Sequence, residues 1–170
     1  MRAKHLVVLT AVGLVASGLL LTASCKKDEP GATATAVTST VKPTSRVDSE
    51  HFTLTFAPSG DCKPGSECLA TVDLSSQAGY HINKEYPYRF TGEPASGVEF
   101  LGKDPAGPQV FTKAAGDYDA PTETKATMKV RFRAKDAGKT NLVGTYKFSV
   151  CSEKNCQIEK ADLITSIDVK

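Results

Sequence analysis

Two pairs of cysteines are the residues of this sequence whose type and spacing are suited to chemistry. Cys151 and Cys156 lie five positions apart in YKFSVCSEKNCQIEK, and Cys62 and Cys68 lie six positions apart in DCKPGSEC. Such pairs can form a disulfide that holds a hairpin together, bind a metal ion as thiolates, or exchange electrons with another protein. The compartment and the positions of the cysteines in the fold decide among these chemistries.

The N-terminus has the layout of an export signal. Arg2 and Lys4 precede an uncharged, mostly apolar run at 6–21, which is short for a membrane span, and small residues then lead into Cys25. This arrangement resembles a bacterial lipobox, in which the cysteine carries the lipid and becomes the new N-terminus. We therefore expect residues 1–24 to be a lipoprotein signal peptide, rather than an uncleaved anchor or an ordinary signal that leaves Cys25 free. Cys25 then anchors the chain to a membrane of the bacterial cell envelope, facing the periplasm or the exterior.

The charge balance excludes no compartment but gives no reason to expect a nucleic-acid partner. Removal of residues 1–24 takes away two cations and no acid, so Lys and Arg fall from 21 to 19 and equal the 19 Asp and Glu. A formally neutral chain lacks the basic footprint of nucleic-acid-binding proteins. GxSxG, HExxH and Gly-rich phosphate loops are absent as well, and we expect no nucleic acid and no cofactor.

The composition changes near residue 49. Residues 25–48 are rich in Ala, Thr, Ser, Pro and charge without a hydrophobic period, which predicts a flexible linker after the lipidated cysteine. Residues 49–170 read as one domain of short strands, beginning with HFTLTF and LATVDL and ending with KTNLVGTYKFSV and ADLITSIDVK. With turn residues between the strands and no helical period, the pattern predicts an all-β fold, an immunoglobulin-like antiparallel β-sandwich.

One strand of this pattern has a basic face. In TMKVRFRA, three apolar residues alternate with Lys129, Arg131 and Arg133. This alternation predicts a half-buried strand whose cations are the solvated side of a sheet.

A cluster of aromatic residues occupies a loop-rich segment between two predicted strands. It has two interpretations, a recognition surface or one edge of the core in which each tyrosine hydroxyl reaches water. His81 has no partner at metal-ligand spacing, so we expect a structural histidine and no metal site. The candidate binding surface consists of Tyr80, His81, Tyr86, Tyr88 and Phe90.

The spacing of each cysteine pair permits a disulfide within a hairpin. Paired residues of antiparallel strands are close enough for a disulfide, and four residues between Cys151 and Cys156 make a reasonable hairpin connection. So short a loop gives about 2 kcal/mol of stabilisation, whereas a bond from Cys68 to Cys151 closes a loop of about 80 residues and gives about 4.5 kcal/mol. This comparison favours exchange chemistry at one pair without choosing the pair. A four-cysteine zinc site is the metal alternative, but its gaps exceed those of most zinc knuckles.

Two motifs of the sequence resemble a known family. YKFSVCSEKNC, with a strand running into Cys-x4-Cys, and GYHINKEYP upstream of it are similar to the N-terminal periplasmic domain of the thiol:disulfide interchange protein DsbD family. The resemblance spans about residues 49–170. It implies an immunoglobulin-like sandwich in which Cys151 and Cys156 are the redox-active pair. Cys62 and Cys68 are not part of the family pattern, and we expect them to form a further disulfide.

Two functions follow as alternatives. The first is a stand-alone, membrane-anchored thiol–disulfide interchange domain that passes electrons to or from a periplasmic thiol–disulfide protein or a separate membrane reductase. The second is a non-enzymatic lipoprotein sandwich with two structural disulfides, which binds a protein or an envelope component.

Overall fold

The long strands of the fold follow the alternation of apolar and polar residues. The computed structural model describes residues 42–170. In these strands buried side chains alternate with more exposed ones, except at residues 148–151, where all four are buried. They are β2 (Phe52–Ser59), β3 (Glu67–Ser76), β9 (Lys125–Ala134), β10 (Gly138–Cys151) and β11 (Cys156–Val169).

Six shorter strands complete the sheets in the described residues. They are β1 (Arg46–Asp48), β4 (His81–Ile82), β5 (Arg89–Gly92), β6 (Val98–Phe100), β7 (Val110–Thr112) and β8 (Tyr118–Asp119). β1 and the bridge between Thr44 and Leu163 lie before residue 49, so strand pairing begins inside the segment assigned to the linker. Residues 1–41, which include the predicted signal peptide, Cys25 and most of that linker, lie outside the described part of the chain.

Two antiparallel sheets make up the domain. One has the order β1-β2-β3-β9-β6 with β8 also paired to β9, and the other has the order β11-β10-β5-β7 with β4 also paired to β10. The prediction of an all-β, antiparallel sandwich is confirmed, and the face-to-face pair of sheets is the architecture that immunoglobulin-like domains share. Among residues 42–170, no helix is long and apolar enough to cross a membrane.

Aromatic side chains join the inner faces of the two sheets. Phe52 of β2 meets Phe148 of β10 edge-on at a centroid distance of 4.7 Å, and Phe56 lies 5.3 Å from Phe90 of β5. All four rings are buried, and pairs of this geometry add about 0.5–1.5 kcal/mol each to the gain from burial. These contacts hold the β10–β11 sheet in place over β2.

Two glycines make room for this aromatic packing. Gly92 of β5 and Gly144 of β10 lie opposite each other in the ladder. A Cβ atom at Gly144 would lie 2.3 Å from the Phe90 ring, and one at Gly92 would lie 2.4 Å from the Phe100 ring. Neither ring has space to move in a packed core, so both positions require the absence of a side chain.

The basic face of β9 is largely paired with acids. Arg131 contacts the buried carboxylate of Asp117 at 2.6 Å, and Arg133 contacts Glu99 at 2.7 Å. These cations therefore hold neighbouring segments to the outside of their sheet.

Candidate functional site

The β10–β11 hairpin places one cysteine at the end of each strand. The two strands pair without interruption from Gly138↔Val169 to Cys151↔Cys156, and residues 152–155 connect them. Within this connection Ser152 Oγ accepts hydrogen bonds from the amides of Lys154 and Asn155, each at 3.3 Å. Serine forms such turns because its hydroxyl takes the place of a backbone acceptor. The four-residue hairpin connection predicted from the sequence is present.

Cys151 and Cys156 form a disulfide across this hairpin, with a Cα–Cα distance of 3.9 Å. The two sulfurs differ in their surroundings, since Cys151 is 4% exposed and Cys156 lies among the exposed residues. Cys151 belongs to the central part of its sheet, between β4 and β11, whereas β11 is an edge strand. A thiolate from solvent can therefore approach Cys156 more directly than Cys151.

His81 is the neighbour of Cys151 on the side opposite Cys156. The register pairs Cys151 with His81 of β4, so the imidazole shares the outer face of the sheet with the disulfide. His81 is exposed. A protonated imidazole stabilises an adjacent thiolate, so this arrangement suits a site where Cys151 becomes a thiolate.

The backbone just before Cys151 is held by two side-chain contacts. Tyr88 donates its hydroxyl proton to the Ser149 carbonyl oxygen at 2.7 Å, and Asn83 donates from Nδ2 to Ser149 Oγ at 3.3 Å. Both donors come from the segment around β4 and β5. Their bonds fix the end of β10 and with it the position of Cys151.

The second disulfide, Cys62–Cys68, has different surroundings. It joins Cys62, in the loop between β2 and β3, to Cys68 near the start of β3, with a Cα–Cα distance of 5.2 Å, and both cysteines are about 95% buried. The carbonyl oxygen of Cys62 accepts a 2.9 Å hydrogen bond from Lys170, which ties this loop to the end of β11. The bond therefore fastens to β3 the loop that contacts the end of β11 in the other sheet.

The two disulfides lie at opposite ends of β11. Cys62 forms a bridge with Val169, the last residue of this strand, and Cys156 is its first residue. A strand of 14 residues is about 45 Å long, so the four cysteines cannot surround one zinc ion. The described residues also contain no cluster of three or more His, Cys, Asp or Glu side chains placed to hold a metal ion.

The aromatic segment is divided between core and surface. Tyr88 and Phe90 are buried in the core, while Tyr80 and Tyr86 are partly buried and pack against it. Only His81 of the five residues is exposed. The core-edge interpretation therefore describes most of this segment, and a recognition surface that uses all five side chains is not present.

Three tyrosines pack together in the core, and two of them, Tyr88 and Tyr146, are fully buried. Tyr88 stacks on Tyr118 at a centroid distance of 4.3 Å and lies 6.3 Å from Tyr146. Burial raises the pKa of Tyr88, and the neighbouring Tyr118 adds to this effect. Burial likewise raises the pKa of Tyr146 well above its ordinary value, with Tyr118 and Tyr88 adding to it. These hydroxyls therefore stay protonated at neutral pH and act as packing and hydrogen-bonding groups.

A row of cations on the outer face of the β10–β11 sheet was not identified from the sequence. Lys160, Lys147 and Arg89 lie directly opposite one another on β11, β10 and β5. The sequence did indicate that each of these cations points outward, because each occupies a polar position in an alternating strand. It did not indicate that they are neighbours, because that depends on the pairing of segments that are distant in the chain.

The fold and the cysteines define a class, an antiparallel β-sandwich with one buried and one half-exposed disulfide. Comparison with known proteins adds no family assignment, since no protein-family model matches the sequence and no curated protein matches it.

Proposed function

We propose that this chain is a membrane-anchored thiol–disulfide interchange domain of the bacterial envelope whose working bond is Cys151–Cys156. The observation that carries the proposal is the contrast between the two disulfides. Cys62–Cys68 is buried at both sulfurs, as a structural bond is, whereas Cys151–Cys156 presents Cys156 at the surface. Exposure of one sulfur beside a buried partner is what exchange with another protein requires.

The exposure of Cys156 gives the order of events. A thiolate of the partner protein attacks Cys156 Sγ, a new disulfide forms between the two proteins, and the Cys151–Cys156 bond breaks. The electron pair of that bond leaves with Cys151 as a thiolate, which then takes up a proton. A second thiolate of the partner attacks its own sulfur in the mixed disulfide and releases Cys156, so two electrons pass from the partner to this chain. Reversal of the same steps passes them to a downstream protein.

The imidazole of His81 favours this direction of cleavage whenever it carries a proton, because it lies opposite Cys151 in the sheet register. Lys154 lies in the loop between the cysteines, beside Glu153. A positive charge near a sulfur lowers the pKa of its thiol and makes it a better leaving group. Cys151 is thus the leaving and resolving thiol, and Cys156 is the sulfur that the partner attacks.

The similarity of YKFSVCSEKNC and GYHINKEYP to the N-terminal domain of the DsbD family supports the same assignment. It implies a membrane reductase or a periplasmic thiol–disulfide protein as the partner. Lipidation of Cys25 would keep the domain near such a reductase, because it would hold both proteins at the same membrane.

A second candidate is a non-enzymatic, tethered sandwich with two structural disulfides. The uninterrupted pairing of β10 with β11 up to the cysteines favours it, because a bond at the end of a complete hairpin also closes that hairpin. Its binding surface would use the exposed parts of the segment around His81.

Redox equilibration distinguishes the two candidates. The purified chain is equilibrated in glutathione and dithiothreitol buffers, and alkylated cysteines are mapped by mass spectrometry. Interchange predicts that Cys151–Cys156 titrates near about −200 mV while Cys62–Cys68 stays oxidised below about −300 mV. If both bonds resist reduction to below about −300 mV, the interchange function is wrong and the second candidate stands.

A further inference from the structure

The outer side of β11 presents three exposed residues in a line next to the working disulfide. Cys156, Ile158 and Lys160 occupy alternate positions of the strand and therefore point to the same face. Ile158 is 70% exposed and is the single exposed large hydrophobic side chain of residues 42–170. A lone exposed isoleucine is ordinary, but this one lies between an exposed sulfur and a cation. We call these three residues the β11 strip.

The β11 strip ends in the row of three cations that crosses the sheet, Lys160–Lys147–Arg89, which we call the cation row. Like charges directly opposite each other destabilise a sheet. Asp162 lies 3.5 Å from Lys160 and Asp104 lies 3.8 Å from Arg89, whereas Lys147 has no ion pair in the described chain. The excess positive charge is local, since the chain without residues 1–24 is formally neutral. The cation row is thus an arrangement that a negatively charged ligand would stabilise.

The cation row continues into an open groove of about 640 Å³ between β5, β7 and β10. Arg89, Lys147 and Lys113 line it, together with the ring of Tyr86. The carboxylate of Asp104, which also lines the groove, already accepts hydrogen bonds within the domain. The amide of Ala106 and the hydroxyl of Thr112 donate hydrogen bonds to its carboxylate, and with Arg89 nearby they lower its pKa.

Strand geometry sets the spacing of these features. The cation row is four residues along the strand from the disulfide, which corresponds to about 13 Å, and it extends over about 10 Å across three strands. An extended peptide covers the same 13 Å with about four residues. β11 is an edge strand, and the described chain places no strand beside residues 156–160, so a peptide can reach the β11 strip from the side.

We propose that the β11 strip and the cation row bind an extended, acidic segment of the thiol–disulfide partner. This inference rests on the proposed function. The cysteine of the partner lies on Cys156, an apolar side chain packs against Ile158, and carboxylates about four residues away contact Lys160, Lys147 and Arg89. Charge complementarity selects this occupant, because the cations exceed the carboxylates at the groove. Its walls carry Arg89, Lys113 and Lys147 against Glu85 and Asp104, and Lys160 lies next to Lys147. The carboxylates of Asp104 and Asp162 already contact Arg89 and Lys160. The site thus distinguishes partners by the charge near their cysteine.

Two short synthetic peptides test the proposal. Each carries one cysteine. In the first peptide an isoleucine lies two residues from the cysteine and a group of three glutamates begins about four residues from it, on either side of the cysteine. In the second peptide glutamines replace the glutamates. The rate at which each peptide opens the Cys151–Cys156 bond of the purified full chain is measured at low ionic strength. Two exposed ion pairs give an advantage of about threefold or more, so the acidic peptide is expected to react faster by that factor and to lose the advantage in 0.5 M salt.

A matched pair of double variants locates the effect. Lys147→Gln with Lys160→Gln is expected to abolish the preference for the acidic peptide. Lys125→Gln with Lys139→Gln removes the same charge from exposed positions elsewhere and is expected to retain it. Dithiothreitol, which is neutral, is expected to open the bond at one rate in all three proteins. Equal rates for the two peptides, or equal losses in both double variants, overturn the proposal.

Two further measurements separate this proposal from its alternatives. A serine version of the acidic peptide, which cannot exchange, is titrated into the chain and NMR shifts are followed. Docking is supported, even if the redox function fails, when Ile158 and Lys147 shift in the parent chain but Ile158 does not shift in the variant Lys147→Gln with Lys160→Gln. The absence of shifts in the parent overturns docking, even if the redox function holds. The chain is also mixed with phosphatidylglycerol vesicles. If it binds them, the Lys147→Gln, Lys160→Gln variant does not, and the two peptides react equally fast, the cation row binds a lipid surface and the proposal is overturned.

Discussion

The hydroxyl of Tyr88 donates a 2.7 Å hydrogen bond to the backbone carbonyl oxygen of Ser149, two residues before Cys151. Both residues are buried, so this bond is shielded from water. It connects the segment before β5 to the part of β10 that carries the buried sulfur. The neighbouring Tyr146 has the opposite character, because its buried hydroxyl has no hydrogen-bond partner in the described chain.

This difference predicts opposite effects of the same chemical change at two tyrosines. Tyr88→Phe removes a satisfied buried hydrogen bond and is expected to lower the free energy of unfolding by about 1 kcal/mol. Tyr146→Phe removes an unpartnered buried hydroxyl and is expected to raise it by about 1 kcal/mol. Guanidinium unfolding of the two variants and the parent, with both disulfides intact, measures the difference. Equal destabilisation by the two changes would contradict the assignment.

The buried tyrosines also predict a loss of stability at alkaline pH. Burial raises the pKa of Tyr88 and Tyr146, so above about pH 10 the unfolded chain releases protons that the folded chain retains. The tyrosines therefore leave the free energy of unfolding unchanged below about pH 10. Above about pH 10, each of them lowers the free energy of unfolding by about 1.4 kcal/mol per pH unit.

The variant Tyr146→Phe isolates this contribution from that of the lysines, which titrate in the same range. The free energy of unfolding is measured at pH 9, 10 and 11 for the parent and the variant. We expect the decline above pH 10 to be smaller in the variant by about 1.4 kcal/mol per pH unit, and parallel curves would show that Tyr146 ionises in the folded protein.

Much of the sandwich is readable in the sequence because its long strands are buried on one face. β2, β9 and β10 each alternate clearly, and alternation of period two has one structural meaning. β4, β5, β7 and β8 have two to four residues each, which is too short for a period to be recognised. Tyr88 and Phe90 show the consequence, since their alternation with Arg89 is brief and their burial depends on packing against other strands.

The candidate site was predictable to a similar depth. Cysteines five residues apart at the end of a strand pattern predict a hairpin disulfide, and the structure contains one. The exposure of each sulfur depends on which strand lies beside it. Cys151 pairs with His81 of β4, which is about 70 positions earlier in the chain. Local patterns contain no information about such a contact, and the same is true of the cation row formed by Arg89 and Lys147.

The buried ion pair between Asp117 and Arg131 predicts a large effect on stability. Asp117 is fully buried, and its carboxylate accepts hydrogen bonds from Arg131 at 2.6 Å and from the amide of Thr112 at 3.1 Å. Asp117→Ala leaves a guanidinium that is only 20% exposed and a buried amide without this acceptor, so we expect a loss of about 3–5 kcal/mol.

The pair Arg133 and Glu99 provides the control for this prediction. It has a similar distance, 2.7 Å, but both side chains are exposed, and Glu99→Ala is expected to cost less than about 1 kcal/mol. Thermal or guanidinium unfolding of the two alanine variants measures both values. If Asp117→Ala costs no more than Glu99→Ala, the buried pair does not stabilise the loop between β7 and β8.

The unequal exposure of Cys151 and Cys156 predicts unequal reactivity when each is left alone. In a chain with Cys25→Ser, the variant Cys151→Ser keeps the exposed thiol of Cys156, and Cys156→Ser keeps the buried thiol of Cys151. Thiol exchange requires access to the sulfur. We therefore expect Cys156 to react with a disulfide reagent about tenfold faster than Cys151, on the order of a 1.4 kcal/mol difference in barrier.

A disulfide-bonded peptide should show the same preference. Cys151→Ser is expected to attack a disulfide-linked peptide dimer, release one peptide as its thiol and accumulate the mixed disulfide with the other, because Cys151 is absent and cannot resolve it. Cys156→Ser is expected to accumulate little. The Cys62–Cys68 bond, which is buried at both sulfurs, remains closed in both variants and serves as the internal control. Comparable reaction of the two single thiols would mean that a partner can attack either sulfur, and the order of steps proposed for the interchange would then be wrong.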